Sequence, residues 1–87
     1  MQNYNRIEKY DWKTCYYLND KYHRIDGPAV ELIDGYKAWY QNGILHRLDG
    51  HAEECPDGTK YWFYEGIGTD CNSQEEFEKY LKLKLFW

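Results

Sequence analysis

The stretch HRLDGHAEECPDGTK, residues 46–60, nearly repeats HRIDGPAVELIDGYK, residues 23–37, at a displacement of 23 positions. When residues 15–37 are aligned with residues 38–60, 11 of 23 positions carry the same amino acid. The match continues into Trp62-Phe63 and into Gly66-Ile67, so a third copy begins and then degenerates. A fixed period of this length is typical of repeat proteins, in which each unit buries its apolar face against its neighbours.

The turn residues of each period predict β-hairpins. Asp-Gly at 34–35 and 57–58 and Asn-Gly at 42–43 favour two-residue type I′ turns, because both central residues tolerate positive φ. Asn19-Asp20 stands where Asn-Gly stands one period later, so this turn is expected to be strained or of another type. No window before residue 72 is suited to a helix, and the strands are therefore expected to form an antiparallel meander.

The expected pairing places Tyr16 opposite His23, and Trp39 opposite both Val30 and His46. One face of the sheet is then mixed and carries Tyr16, His23, Val30, Leu32, Trp39, His46 and Trp62. The other face is more continuously apolar and carries Tyr17, Tyr22, Ala29, Ile33, Ala38, Tyr40, Leu45, Ala52, Tyr61 and Phe63. This second face requires a cover.

The C-terminal segment supplies a candidate cover. Ser73-Gln-Glu-Glu76 reads as a capping box, and Phe77, Tyr80, Leu81 and Leu85 recur at helical spacing. We expect this helix to dock on the Tyr17/Tyr40/Phe63 side. The predicted fold is mostly β with one C-terminal α-helix, in a single domain: lead-in 1–14, repeat 15–37, repeat 38–60, partial repeat 61–71, and helix with tail 72–87.

Length and charge limit the function. A chain of 87 residues forms one small domain with a thin core, and its 17 aromatic residues help to fill that core. The formal net charge of −4 disfavours nucleic-acid binding, which needs an excess of Lys and Arg, and is more compatible with a basic protein partner.

The cysteines and the hydropathy pattern predict the environment. Cys15, Cys55 and Cys71 form neither a disulfide framework nor a C-x-x-C zinc motif, so reduced thiols are expected. The N-terminus shows no signal peptide, and no run of about 18 apolar residues occurs. The sequence therefore predicts a soluble cytoplasmic protein without membrane contact.

The His-Arg-x-Asp motif at 23–26 and 46–49 invites a catalytic interpretation, since His and Asp can act as base and acid. Two copies at equivalent positions instead favour a structural role, in which the aspartates cap the turns entering Gly27 and Gly50 and the arginines pair with nearby carboxylates. A zinc site built on His23 and His46 would have only His51 or a carboxylate as a third ligand in phase, so zinc is disfavoured. No enzyme activity, metal or cofactor is expected.

The unit W-Y-x-N-G-x-x-H-R-x-D-G-x-A, residues 39–52, resembles the MORN-like repeats of small phage and other viral proteins and of bacterial antitoxin-like proteins. The resemblance covers residues 15–68. It implies a sheet of repeated hairpins, no chemistry of its own, and often a protein or lipid partner. The sequence departs from the pattern at Asp20, at His51, where the first unit has Pro28, and in the third unit.

These observations lead to a function hypothesis with alternatives. The first is a phage-type module that inhibits a host defence or toxin protein in the host cytoplasm, because Trp, Tyr and Arg dominate interfaces. Its predicted partner-binding residues are Tyr16, His23, Arg24, Trp39, His46, Arg47, Trp62 and Trp87.

Two alternatives stay open. One is a nucleotide-signal binder that places Arg24 and Arg47 on phosphate and stacks a base on Trp39 or Trp62. A single short sheet offers a concave cleft only on dimerising, so a homodimer is compatible with this alternative. The other is a purely structural or assembly protein.

Overall fold

The computed structural model describes residues 3–85, with side chains through residue 84. In that range the strands are β1 Arg6–Lys9, β2 Lys13–Leu18, β3 Lys21–Tyr22, β4 Val30–Leu32, β5 Lys37–Ala38, β6 Tyr40–Gln41, β7 Ile44–Leu45, β8 Glu53–Glu54, β9 Lys60–Tyr61, β10 Phe63–Tyr64 and β11 Ile67–Gly68, and the helix is α1 Gln74–Leu85. No helix in this part of the chain has the length and apolar character needed to cross a membrane.

The strands form one main antiparallel sheet with hairpins attached to it. The seven-stranded sheet has the order β1-β2-β4-β5-β8-β9, and β3 pairs with β2 beside that path. Strands β6 and β7 form a separate two-stranded hairpin, as do β10 and β11. The predicted class, repeated antiparallel hairpins followed by a single C-terminal helix, is confirmed.

An aromatic residue marks the point in each repeat where the chain passes from the main sheet into the hairpin. The amide of Trp39 donates to the carbonyl of Ala52 at 2.7 Å, and its carbonyl accepts from the amide of His46 at 3.0 Å. Tyr16, one period earlier, bonds in the same way to Ala29 at 2.8 Å and His23 at 2.9 Å. In the second repeat the backbone of Trp39 thus joins the main sheet to the β6–β7 hairpin, whereas in the first repeat β3 stays within the main sheet. In both repeats the pairing of the aromatic residue with the histidine is as predicted.

The hairpin turns follow the Asn-Gly pattern. Asn42 and Gly43 have φ values of 54° and 80°, which confirms the type I′ turn. Asn19 and Asp20 adopt the same conformation, with φ values of 51° and 67°. Of the two outcomes expected at Asp20, the turn type does not change, and the first repeat instead holds a non-glycine residue in the strained left-handed region. The third repeat closes with an equivalent two-residue turn at 65–66.

The Asp-Gly turns differ from the prediction. The amide of Leu32 donates to the carbonyl of Tyr36 at 2.9 Å, and the amide of Gly35 donates to the carbonyl of Leu32 at 3.1 Å. The loop between Leu32 and Tyr36 therefore contains three residues, 33–35, instead of the two predicted. Of these three, Gly35 alone has a positive φ, 104°, as in a type I turn followed by a bulge. The extra residue pairs Val30 with Ala38 instead of Trp39.

The one-residue shift corrects the predicted faces. Val30 and Leu32 do not share a face with Trp39, because Val30 belongs to the row of Cys15 and Ala38. Ile33, expected on the covered face, lies in the turn and is 79% exposed. Tyr17, Tyr22 and Tyr40 lie side by side, as expected for residues on one face, with ring centroids 5.2 Å apart in each successive pair.

The core is thin, as expected for so short a chain. The molecule measures 41 × 33 × 17 Å. Its buried residues within the described range are mostly small: Cys15, Ala29, Ala38, Ala52, Trp62, Phe77 and the polar His23. Alanine at 29, 38 and 52 lets neighbouring strands and side chains approach closely.

Helix α1 begins at the predicted cap and packs against the third repeat. The hydroxyl of Ser73 accepts from the amide of Glu76 at 3.2 Å. Gln74 accepts from the indole Nε1 of Trp62 at 2.8 Å, and the ring of Tyr80 lies 6.4 Å from that of Tyr64. Tyr64 alternates with Phe63 in β10, so the contact of Tyr80 lies on the side of this hairpin opposite to Phe63, where the helix was predicted to dock.

Candidate functional site

The two H-R-x-D-G loops have nearly identical internal contacts. The guanidinium of Arg24 stacks over Tyr16 at 4.0 Å, and that of Arg47 stacks over Trp39 at 4.2 Å. In each loop Nε of the arginine donates to the aspartate two residues later at 3.1 Å. Nη1 donates to the carbonyl of the residue four positions later, at 3.3 Å in the first loop and 3.0 Å in the second. The predicted pairing of the arginines with carboxylates is confirmed.

The glycine of the motif is needed because the arginine approaches it closely. A Cβ on Gly27 would lie 2.9 Å from Cζ of Arg24, and a Cβ on Gly50 would lie 2.7 Å from Cζ of Arg47. Each guanidinium is therefore held between an aromatic ring and the bare backbone of a glycine. Such distances exclude any larger residue unless the arginine moves.

The histidines of the motif attach each hairpin to the next. Nδ1 of His23 accepts from the amide of Asn42 at 2.9 Å, and Nδ1 of His46 accepts from the amide of Glu65 at 2.9 Å. Both amides belong to the turn of the following hairpin. Because Nδ1 is the acceptor, the ring proton of each neutral imidazole resides on Nε2. These side chains therefore act as links between repeats.

The structure covers much of the aromatic face that the sequence predicted as a binding surface. His23 and Trp62 are only 6% and 7% exposed, which leaves little of either side chain for a partner to contact. Tyr16 lies beneath Arg24, with the ring of Tyr4 at 4.9 Å. Trp87 lies outside the described residues.

A cleft of about 340 Å³ separates the two H-R-x-D-G loops. It brings together four of the predicted site residues, namely Arg24, Trp39, His46 and Arg47, and its other lining residues are Ile25, Asp26, Gly27, Gln41, Leu48 and Asp49. Ile25 and Leu48 occupy the same position in successive repeats and are 60% and 47% exposed. The repeat thus places an aliphatic side chain on each side of the cleft.

The charges around the cleft are arranged with the cations inward and the carboxylates outward. The arginine side chains are 20% and 24% exposed, whereas those of Asp26 and Asp49 are 67% and 89% exposed. Hydrogen bonds from Asn3 and Arg24 lower the pKa of Asp26, so this carboxylate stays ionised. The mouth of the cleft therefore presents negative charge beside apolar surface.

A further titratable group, His51, lies behind the cleft, at the position where the first repeat has Pro28. The His51 ring lies edge-on to Trp39 and Trp62, at centroid distances of 5.2 and 5.9 Å. Its Nε2 is 2.7 Å from Oε1 of Glu54. Burial lowers the pKa of His51, and the opposing effect of Glu54 is smaller.

A second surface, at the turn edge of the sheet, was not identified from the sequence. Tyr10 and Trp12 are 53% and 55% exposed, their rings are stacked at 6.2 Å, and the ammonium of Lys13 lies 5.0 Å from the Trp12 ring. The amide of Ile33 donates to the carbonyl of Trp12 at 2.9 Å. The signal was available, since Asp11 is in phase with Asp34 and marks the turn as part of the repeat.

The described residues contain no group of three His, Cys, Asp or Glu side chains placed to hold a metal ion. Comparison of the chain with protein-family models, with curated proteins and with solved structures gives no match.

Proposed function

We propose that this protein is a non-enzymatic protein-interaction module that binds a basic segment of a partner protein in the cleft between its two H-R-x-D-G loops. The supporting observation is the repeated pair at the mouth of the cleft, in which an exposed aliphatic residue precedes an exposed carboxylate in both loops. A partner segment that carries cationic side chains on aliphatic stems matches both features.

Electrostatics favours a cationic partner. Asp26 and Asp49 face solvent, and the arginine charges beside them are partly covered. The net charge of −4 adds a long-range attraction for a basic protein. Exposed charges are screened by salt, so association should slow as ionic strength rises.

Apolar contact supplies the remaining affinity. Lys and Arg side chains lay their methylene stems along apolar surface while the charged end stays near water. Ile25 and Leu48 offer such surface on either side of the cleft, and Trp39 and the arginines form its walls. In this proposal His23 and Trp62 support the site from behind.

The class of partner follows from the sequence resemblance alone. MORN-like repeats of small phage and antitoxin-like proteins imply an interaction role without chemistry, and on that basis we propose a host defence or toxin protein in the cytoplasm as the target. Inhibition would follow from covering the basic segment of that target. A purely structural role for the repeats predicts no such loss of target activity.

A nucleotide-signal ligand fits the cleft less well. The arginines that would bind phosphate already donate to aspartate at 3.1 Å and their side chains are only 20% and 24% exposed, so an anion would have to displace the carboxylates to reach them. A thermal-shift series with cyclic mononucleotides and dinucleotides separates the two proposals. A concentration-dependent rise in melting temperature would favour the nucleotide ligand.

The test compares two variants that lose the same charge. Asp26→Asn with Asp49→Asn neutralises the cleft mouth, and Asp11→Asn with Asp70→Asn neutralises two exposed carboxylates elsewhere. Each protein is used to capture partners from cell lysate, and any protein that depends on the cleft is purified and titrated directly. We expect the cleft variant to bind that partner roughly tenfold more weakly, and the control variant to bind like the wild type.

Replacement of Ile25 and Leu48 by Ser tests the apolar contribution in the same titration. We expect a loss of affinity here as well, with an unchanged salt dependence, because no charge is altered. Equal binding by the wild type and both cleft variants would place the interaction elsewhere on the molecule.

A further inference from the structure

Among residues 3–85, no strand pairs with the outer side of β1, so one edge of the main sheet is open. Strand β1 is the terminal strand of the seven-stranded sheet, and β2 is its neighbour on the other side. The amide of Tyr10 donates to the carbonyl of Lys13 at 2.8 Å. Because hydrogen-bonded pairs alternate along an antiparallel ladder, Arg6 and Glu8 bond to β2, while the backbone groups of Ile7 and Lys9 point outward. An unpaired edge of this kind is a template for another strand.

The sequence of this edge is complementary to itself. Ile7 lies between Arg6 and Glu8, so a twofold axis through Ile7 brings Arg6 opposite the partner's Glu8 on each side. An antiparallel pair centred on Glu8 or on Arg6 would instead oppose two like charges at its centre. We infer that two copies of this chain form a twofold dimer by pairing β1 with β1 in the Ile7-centred register.

The side chains at the edge are already held in suitable positions. Arg6 lies over the ring of Tyr17 at 4.2 Å and donates to Asp20 at 2.8 Å, and Glu8 accepts from the hydroxyl of Tyr17 at 3.0 Å. Both therefore lie on the Tyr17 face of the strand. These contacts use one of the five guanidinium N–H groups and one carboxylate oxygen, so each side chain can bind again across the axis.

The central contacts of the dimer follow from the same register. Ile7 is 44% exposed and would pack against the partner's Ile7, and the two residues would exchange both of their outward backbone hydrogen bonds. Lys9 would lie opposite the partner's Asn5 and meet no like charge, and the hydrogen-bonded ladder would end there because the amide of Asn5 already donates to the carbonyl of Tyr17 at 2.8 Å.

The other open edge of the sheet lacks this complementarity. A twofold pair of β9 strands centred on Tyr61 would place Lys60 opposite the partner's Trp62. Trp62 is only 7% exposed, so this pair would bring no opposite charges together and little new side-chain contact. The choice of β1 therefore depends on its charge pattern as well as on its being an edge. Since β1 is short and its ion pairs are exposed, the dimer is expected to be reversible and to weaken with added salt.

Charge reversal tests both the interface and its register. Arg6→Glu places two carboxylates opposite each other, Glu8→Arg places two guanidinium groups opposite each other, and each variant alone should be monomeric. A mixture of the two variants should form a heterodimer, because every pair then regains opposite charges, and the double variant should dimerise by itself. Sedimentation velocity over a protein concentration series measures each state.

A proline substitution gives a second test that leaves the charges unchanged. Ile7→Pro removes an outward N–H, and proline is tolerated at edge positions whose N–H faces solvent. We expect this variant to be monomeric, with a circular dichroism spectrum like that of the wild type. The proposal fails if the wild type stays monomeric throughout the series, if either single charge variant dimerises like it, or if the mixture does not associate. It does not depend on the cleft, so its failure leaves the proposed function standing.

Discussion

At the residue scale, each member of the H-R-x-D-G motif has a structural task. The histidine accepts an amide from the next hairpin, the arginine packs on the ring, the aspartate fixes the arginine, and the glycine gives it room. The residues that suggest chemistry are thus engaged in holding successive hairpins together. The side chains of the loops that remain exposed to a partner are the carboxylates of Asp26 and Asp49 and the aliphatic residues before them, Ile25 and Leu48.

His51 should make folding stability depend on pH. Its pKa is lowered in the folded state from an ordinary value of 6.5, chiefly by burial. The unfolded chain therefore binds a proton at His51 more readily than the folded protein does. The contribution of neutral His51 to the free energy of unfolding is complete above pH 6.5 and is lost as the pH falls below this value. We expect the urea concentration at the unfolding midpoint of the wild type to be lower at pH 5.5 than at pH 7.5.

The control for this prediction is His51→Gln, which keeps a polar side chain and cannot be protonated in this range. The variant should lose less stability than the wild type over the same interval. The effect is separate from that of Asp26, whose lowered pKa acts only near its ordinary value of 3.8 and below. Parallel pH profiles for the two proteins would show that the histidine is not responsible.

At the element scale, the three type I′ hairpins show how much the turn sequence can vary. The second turn has the favoured Asn-Gly, the first has Asp20 at the glycine position, and the third has Glu65 at the asparagine position. Non-glycine residues at positive φ carry a conformational cost, which tertiary contacts such as the Arg6–Asp20 ion pair help to offset.

Gly43→Asp should destabilise the second hairpin by about 1 kcal/mol, because Asp adopts positive φ less readily than Gly. The nearest atom to a Cβ at this site is Cβ of Lys21 at 3.5 Å, an ordinary contact, so the cost is conformational and not steric. Urea denaturation measures the free energy of unfolding.

Gly43→Asn is the matched variant for this turn, since Asn fits the left-handed region better than other non-glycine residues. It should cost less than Gly43→Asp. A larger loss for the Asn variant would mean that packing against Lys21, and not φ, determines the energy of this turn.

The turns also show which elements the sequence could predict. Asn42-Gly43 specified its hairpin correctly, because both residues take positive φ. Asp34-Gly35 did not, because Asp-Gly suits both a two-residue turn and the last two positions of a three-residue loop. The second arrangement is found, and the choice between them depends on how strands β4 and β5 pair. Local sequence does not contain that information, so the assignments of Val30, Leu32 and Ile33 to the faces of the sheet were wrong.

At the scale of the whole molecule, each hairpin depends on a histidine of the repeat that precedes it. His46→Ala removes the acceptor for the amide of Glu65, and the third hairpin should loosen without a matching effect on the second. We expect the Glu65 amide to exchange with solvent roughly tenfold faster, measured by NMR-detected hydrogen exchange. The Asn42 amide, held by His23, should keep its wild-type rate.

His23→Ala is the complementary variant, and it should expose the Asn42 amide in the same experiment. It should also cost more stability than His46→Ala, since His23 is buried. Uniform acceleration of exchange throughout the protein in either variant would instead indicate a single cooperative unit, and the hairpins would then not be coupled in series.

The candidate site could be predicted only in part. The repeat identified Arg24, Trp39, His46 and Arg47, which meet at the cleft, but it did not show that the arginines fold inward onto the aromatic rings. That folding depends on the space left by glycine, a three-dimensional property. The exposed Trp12 was missed because residues 1–14 were assigned to a lead-in segment outside the repeats.

The linkage of each repeat to its successor through one imidazole has a consequence for how such a chain can change in length. A unit of 23 residues brings both the histidine that binds the next turn and the turn that the preceding histidine binds. Gene duplication can therefore add or delete whole units without redesigning any junction. Every added unit also brings another cleft, so the number of contacts offered to a partner grows with the length of the gene.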